Sequence, residues 1–213
     1  MSISLKKGER ISLSKESKGL SKITVGLGWH ENDNKGGNEG GFFSRLFGGS
    51  SSSGSSSSYD FDCDASALLL KDGKFTHNDD LVYFGNLSHK SGAVKHSGDN
   101  LTGGSDGGKD DSEQIKIELD RVPTEFDKIV IVANIYQAKS RKQHFGMIKN
   151  AFIRIVDEKT GTEMCRYDLT DDYSGKTTII FGEIYRHDNE WKFNAIGNGT
   201  IDGSLSEITN RFR

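Results

Sequence analysis

Between residues 114 and 119 the chain alternates, with Ile115, Ile117 and Leu119 on one side of an extended backbone and Lys116 and Glu118 on the other. A period of two is the mark of a strand with one buried face. Residues 22–29 repeat it through Ile23, Val25 and Leu27. Residues 128–136 are almost continuously apolar, which predicts a central strand buried on both sides. Two hairpins are predicted, one joining 151–157 to 162–168 through Glu158, Lys159, Thr160 and Gly161, the other joining 177–185 to 191–196 through His187, Asp188 and Asn189. Shorter strands are predicted at 3–5 and 10–13, joined by a turn at Lys7 and Gly8, and these with 22–29 form a small antiparallel unit. Further short strands fall at 80–84 and 93–96, a turn at Asp72 and Gly73, and a helical turn at 145–150. Residues 204–212 predict a short C-terminal helix capped by Ser204 with Glu207 three positions on. About ten short strands with hairpin turns predict an all-β fold, an antiparallel β-sandwich whose loops gather at its ends.

Composition sharpens this picture. The chain has 213 residues, 33% of them hydrophobic, with 26 glycines and one proline, which suits a β-rich domain better than a helical bundle. One domain over 1–213 is expected, interrupted by a flexible Gly/Ser-rich insert at 36–58. Within that insert Phe42, Phe43, Leu46 and Phe47 surround Arg45, a pattern that reads equally as an apolar tip folded back on the domain and as a docking segment for a partner or a peripheral membrane contact. The net charge of −3 is unevenly spread. Residues 60–113 carry eleven acids against five bases, and the remainder carries 20 acids against 23 bases. That polarity favours a cation at the acidic face and disfavours nucleic acid there. Cys63 and Cys165 lie far apart and form no CxxC pair, as in a reduced, cytoplasmic chain. No run approaches the roughly 18 apolar residues of a membrane span.

Two acidic runs carry the candidate chemistry. In 97–113, SGDNLTGGSDGGKDDSE, five carboxylates face one lysine on glycine-rich backbone. Such a loop repels itself unless a hard cation binds. Upstream, Asp60, Asp62 and Asp64 alternate, so an edge strand would set them on one face roughly 6.5–7 Å apart, with Phe61, Cys63 and Ala65 turned to the core. Calcium takes about six to eight oxygens from carboxylates, amides, carbonyls and water, and tolerates irregular loops. Neither run is an EF-hand. Starting from Asp60 puts Ala65 and Lys71 where the glycine and the bidentate glutamate belong, and starting from Asp99 puts Leu101 and Gly103 where side-chain oxygens belong. A metal-dependent phosphoester hydrolase and a small-ligand or cyclic-nucleotide binder are the alternatives. The six histidines are scattered singly, however, and no phosphate-cradling loop with a following lysine is present.

The strings VGLGW, DFDCDASALLL, HSGDNLTGGSDGGKDDSEQIKIEL, FGMIKNAFIRIVDEKTG and IIFGEIYRHDNEWKFNAIG, in that order, resemble the TerD family of tellurite-resistance and general-stress proteins. The resemblance covers nearly the whole chain outside 36–58. It implies a calcium-binding β-sandwich of a bacterial stress operon, and, with no Ser, Cys or His nucleophile constellation in the chain, a binding module without enzymatic activity is the leading expectation. It also implies protein partners in a stress complex, including a membrane protein of the TerC kind at the inner face of the membrane. The implied ligands of two Ca2+ ions are Asp60, Asp62, Asp99, Asn100, Asp106, Asp110, Asp111 and Glu113, with backbone carbonyls at Leu101 and Gly103. Two departures stand out: a long insert follows Trp29 and His30, and the acidic loop is longer by about two residues around Lys109 and Ser112.

Overall fold

The alternating segments become the strands of two packed sheets. In the computed structural model, which describes residues 2–17, 19–31, 62–98, 111–188 and 190–213, they run in chain order as β1 (Ile3–Leu5), β2 (Arg10–Ser12), β3 (Lys22–Glu31), β4 (Cys63–Leu70), β5 (Leu81–Val82), β6 (Val94–His96), β7 (Glu113–Glu118), β8 (Lys128–Ile135), β9 (Ile148–Asp157), β10 (Thr162–Asp168), β11 (Thr178–His187) and β12 (Glu190–Thr200). Three short helices, α1 (Leu13–Glu16), α2 (Ala138–Arg141) and α3 (Leu205–Asn210), punctuate them. The first sheet has the order β1-β10-β9-β3-β7-β6 and the second β2-β12-β11-β8-β4-β5.

Both hairpins form as predicted, β9 with β10 and β11 with β12. The continuously apolar β8 lies between β4 and β11, buried on both faces. The predicted turn at Asp72 and Gly73 closes with both residues at positive φ, 50° and 73°. The N-terminal unit is different. β1 and β2 do not pair with each other: β1 runs parallel to β10 at one edge of the first sheet, and β2 runs antiparallel to β12 in the second. Three-residue strands offer too few hydrogen bonds to hold a hairpin alone, and the edges of the long strands β10 and β12 outcompete local pairing. The parallel β1–β10 pair is the exception in an otherwise antiparallel sandwich.

Inward positions alternate as the period of two requires. Ile23, Val25 and Leu27 of β3, Ile115 and Ile117 of β7, Ala65, Ala67 and Leu69 of β4, and Ile129, Ile131 and Ala133 of β8 form the main core between the sheets. The opposite faces of β4 and β8 are also apolar, because Leu68, Leu70, Val130 and Val132 pack under Ile208 of α3. The Ser204 hydroxyl caps that helix by accepting the Glu207 N–H, and the Glu207 carboxylate accepts the Gly203 N–H at 2.8 Å. A helix of six residues holds no shape by itself, so the cap and the apolar contact of Ile208 set its position.

Candidate functional site

Four strand ends meet at one end of the sandwich. β7 begins there with Glu113 paired to Leu27 of β3, and His96, the last residue of β6, is paired to Ile115. Glu113 shares the inward face of Ile115 and Ile117, so its side chain enters the space between the sheets. There its carboxylate accepts the N–H of Ala65 near the start of β4 in the opposite sheet, and lies 3.4 Å from His96 Nε2. The His96 Nδ1 accepts the Gly98 N–H at 3.1 Å, which assigns the ring proton to Nε2, facing Glu113. One buried carboxylate thus ties the exit of β3, the start of β4, the end of β6 and the start of β7 into one cluster. The chain leaves this end at Glu31 and Gly98 and returns at Asp62 and Asp111, so both acidic runs are mounted on the same rim.

The second tie lies on the outer face of the first sheet. Arg154 of β9 donates to Asp111 through Nε at 2.7 Å and Nη2 at 2.8 Å, and Gln114 Nε2 donates to Asp111 Oδ2 at 3.0 Å. Arg154 also lies 3.3 Å from Glu163. The side chains of Arg154 and Asp111 are only 6% and 2% exposed, so this is a buried two-pronged pair rather than a surface contact. Burial works against the guanidinium charge, but the hydrogen bonds to Asp111 are the larger influence and hold the Arg154 pKa above its ordinary value. Space for the pair comes from Gly26, the β3 partner of both Arg154 and Gln114, since a Cβ there would run into the Asp111 carboxylate. The Ser112 N–H donates to Leu27 O at 2.7 Å and completes the attachment.

Among the other residues singled out in the sequence, Asp62 lies just before β4, exposed, with Arg141 Nη1 at 3.8 Å from its carboxylate. Cys63 and Ala65 face the core, and β4 pairs with β5 only at Ala67 and Leu68, so its first half is an edge as the alternation predicted. Trp29, near the end of β3, packs half-buried against the core. Asp60, Asp99, Asn100, Leu101, Gly103, Asp106 and Asp110, the insert at 36–58 and the segment 42–47 lie outside the described residues. Among the described residues no group of three or more His, Cys, Asp or Glu side chains is placed to share a metal ion. No helix among them is long and apolar enough to cross a membrane.

Two of the six histidines, scattered singly along the sequence, are buried in the fold beside a carboxylate. His96 faces Glu113, as described. His89 lies between Ser91 and Asp80, with Nδ1 2.7 Å from Ser91 Oγ and Nε2 3.3 Å from Asp80 Oδ1. Ser91 Oγ accepts the Ala93 N–H, His89 Nδ1 accepts the Ser91 N–H, and the His89 side chain is fully buried, so the three residues lock the chain between β5 and β6. No spacing in the sequence announces the His96–Glu113 contact, because it depends on which strand ends the fold brings together.

The TerD domain matches residues 1–212 of the chain. The stress response protein SCP2 of Bacillus subtilis is 52% identical over 212 residues, covering all of both chains. The tellurium resistance protein TerD of Serratia marcescens is 43% identical over 97% of this chain and 95% of its own length. Among solved structures, a homologue of the telluride resistance protein from Streptomyces coelicolor superposes with a TM-score of 0.58 at 17% identity, over 92% of this chain and 99% of that one.

Proposed function

The chain belongs to the TerD family, and from that membership and the geometry of its rim we propose a calcium-binding stress-response protein of the tellurium-resistance type, acting as a binding module without catalysis. One observation carries the reading: both acidic runs, far apart in sequence, are mounted on stems that Glu113 and Asp111 fasten to the same end of the sandwich. The donors there are carboxylate, amide and carbonyl oxygens without thiolate or clustered imidazole, a hard set that suits Ca2+. Asp60, Asp62, Asp99, Asn100, Asp106 and Asp110, with carbonyls at Leu101 and Gly103, would hold two ions. Asp111 and Glu113 enter the set from fixed positions with part of their capacity already taken. A carboxylate offers about four acceptor sites, and at Asp111 the two prongs of Arg154 and the Gln114 amide use three of them.

Bound metal would supply the positive charge that the self-repelling loop lacks, so binding and ordering of the loop are coupled. The ordered rim would then engage a protein partner of a stress complex or a membrane-associated partner of the TerC kind, with the protein working in the cytoplasm at the inner face of the membrane. Calorimetric titration of Ca2+ into chelator-stripped protein, with Mg2+ as control and thermal unfolding followed at each step, tests the reading. Saturable binding of about two ions, a higher unfolding temperature that Mg2+ does not reproduce, and weaker binding in Asp62→Asn and Asp99→Asn are expected. Absence of saturable Ca2+ binding would overturn it, and turnover on a phosphoester panel that Asp99→Asn abolishes would replace it with the hydrolase.

A further inference from the structure

We propose that the turn at residues 83–87 is a lipid contact, through which Phe84 and Leu87, flanked by Lys90 and Lys95, seat this end of the sandwich on an anionic bilayer surface when calcium is bound. The proposal rests on the calcium reading and adds the class of surface that the loaded rim meets.

Phe84 and Leu87 are 54% and 47% exposed, two of the few large apolar side chains that the described residues leave open to solvent. They do not sit on a floppy tip. Tyr83 and Asn86 exchange two backbone hydrogen bonds, at 3.1 and 2.9 Å, and Asn86 Nδ2 donates to Leu81 O at 2.7 Å. Tyr83 packs against the cluster under α3 and meets Phe84 edge to face with ring centroids 5.2 Å apart. Gly85 lies so close under the Tyr83 ring that a Cβ there would collide with it. A turn built this firmly holds its apolar side chains outward in a fixed attitude, so inserting them costs little ordering entropy.

Position and charge select the occupant. β5 pairs antiparallel with β4, so the turn that follows β5 lies toward the end where β4 begins, and the Leu87 carbonyl accepts the N–H of His96, whose side chain faces Glu113. The turn therefore stands beside the metal-loop stems. From residue 81 to residue 98 the sequence has no carboxylate, while it carries two exposed lysines, Lys95 and Lys90, the latter with its Nζ 3.7 Å from the buried Asp80 carboxylate. An apolar tip flanked by lysines is complementary to anionic headgroups over acyl chains. Two open side chains are too few for the roughly 800 Å² that each partner of a stable protein interface buries. Beyond the buried Asp111 and Glu113 the adjoining loop holds Asp99, Asp106 and Asp110, which repel an anionic bilayer until a cation neutralises them, and calcium dependence follows from that.

The test is sedimentation of the full chain with vesicles of phosphatidylcholine alone or mixed with phosphatidylserine, in calcium or in chelator, beside calorimetry of calcium binding on the same samples. Wild type is expected to sediment with phosphatidylserine vesicles in calcium and with neither vesicle in chelator. Phe84→Ser/Leu87→Ser should keep the wild-type calcium isotherm and lose roughly tenfold or more in partitioning. Lys95→Glu, altering only an exposed charge, should lose partitioning selectively on phosphatidylserine vesicles. Calcium binding without sedimentation, or sedimentation unaffected by the Phe84/Leu87 substitutions, overturns the lipid contact and leaves the calcium reading standing. A flat calcium isotherm overturns the calcium reading itself, and the calcium-dependent contact with it.

Discussion

Replacing Arg154 by Met removes the cation beneath the acidic loop while keeping the aliphatic length of the side chain. Asp111 would then be left 2% exposed with only Gln114 as a side-chain donor. Removing one member of a buried ion pair costs about 3–5 kcal/mol, because the remaining charge stays desolvated and unpaired. In a chain of this length each kcal/mol moves the unfolding temperature by roughly 2–4 °C, so a fall of roughly 6–20 °C is expected. Asp111→Leu in the same background removes the stranded charge, and the double variant should recover much of the loss, giving a coupling of about 2 kcal/mol or more. Urea unfolding in chelator, followed by the fluorescence of Trp29 and Trp191, isolates this effect from any metal. An Arg154→Met variant within about 1 kcal/mol of wild type would mean that the pair behaves like an exposed salt bridge, and the anchoring of the stem by Asp111 would be refuted.

Three further outcomes are expected. Gly26→Ala should cost about 1–3 kcal/mol in the same urea assay, since the added methyl group must displace the Asp111 carboxylate or the strand beneath it; a neutral variant would show that the loop stem yields freely. The acid limb of stability should depend on Asp157 and Asp202. Burial acts to raise both pKa values, but hydrogen bonds outweigh it, from Ser17 and the Lys159 backbone at Asp157 and from Arg211 and Thr200 at Asp202, leaving both below the ordinary 3.8. A carboxyl with its folded pKa depressed adds stability that is present above the unfolded value and is lost as pH falls through the folded one, so urea midpoints should drop below about pH 4. That drop should flatten in Asp202→Asn, and an unchanged slope would count against the assignment. Burial pushes the Cys165 thiol up to about 12, so it should resist disulfide reagents at neutral pH until urea unfolds the chain, whereas rapid modification of the native protein would contradict its position in the core.

Much of the fold was legible because it is local. A period of two in β3 and β7, a continuous apolar run in β8 and turn residues between paired segments each report how a short stretch meets water, and that preference survives into the folded chain. The capped C-terminal helix was readable for the same reason, through Ser204 and Glu207. The fate of β1 and β2 was not. Their three residues carry no information about which distant edge will accept them, and one joined each sheet.

The candidate site divides along the same line. The two acid-rich runs were legible as such, because composition alone shows that the glycine-rich one carries too little apolar surface to bury itself. What tertiary structure decided is where they are mounted. Glu113 stands on the inward face of β7 and reads in sequence as one more acid of the loop, yet in the fold its carboxylate joins Ala65 of the other sheet and faces His96. Asp111 lies 43 positions from Arg154, and only the pairing of β3 with both β7 and β9, over a glycine at position 26, sets the two together. The sequence by itself determined the strand pattern and the chemistry of the loops, since both arise from contact between neighbouring residues and solvent. The ties that hold those loops to one rim belong to strand order, which arises only when the two sheets close on a shared core.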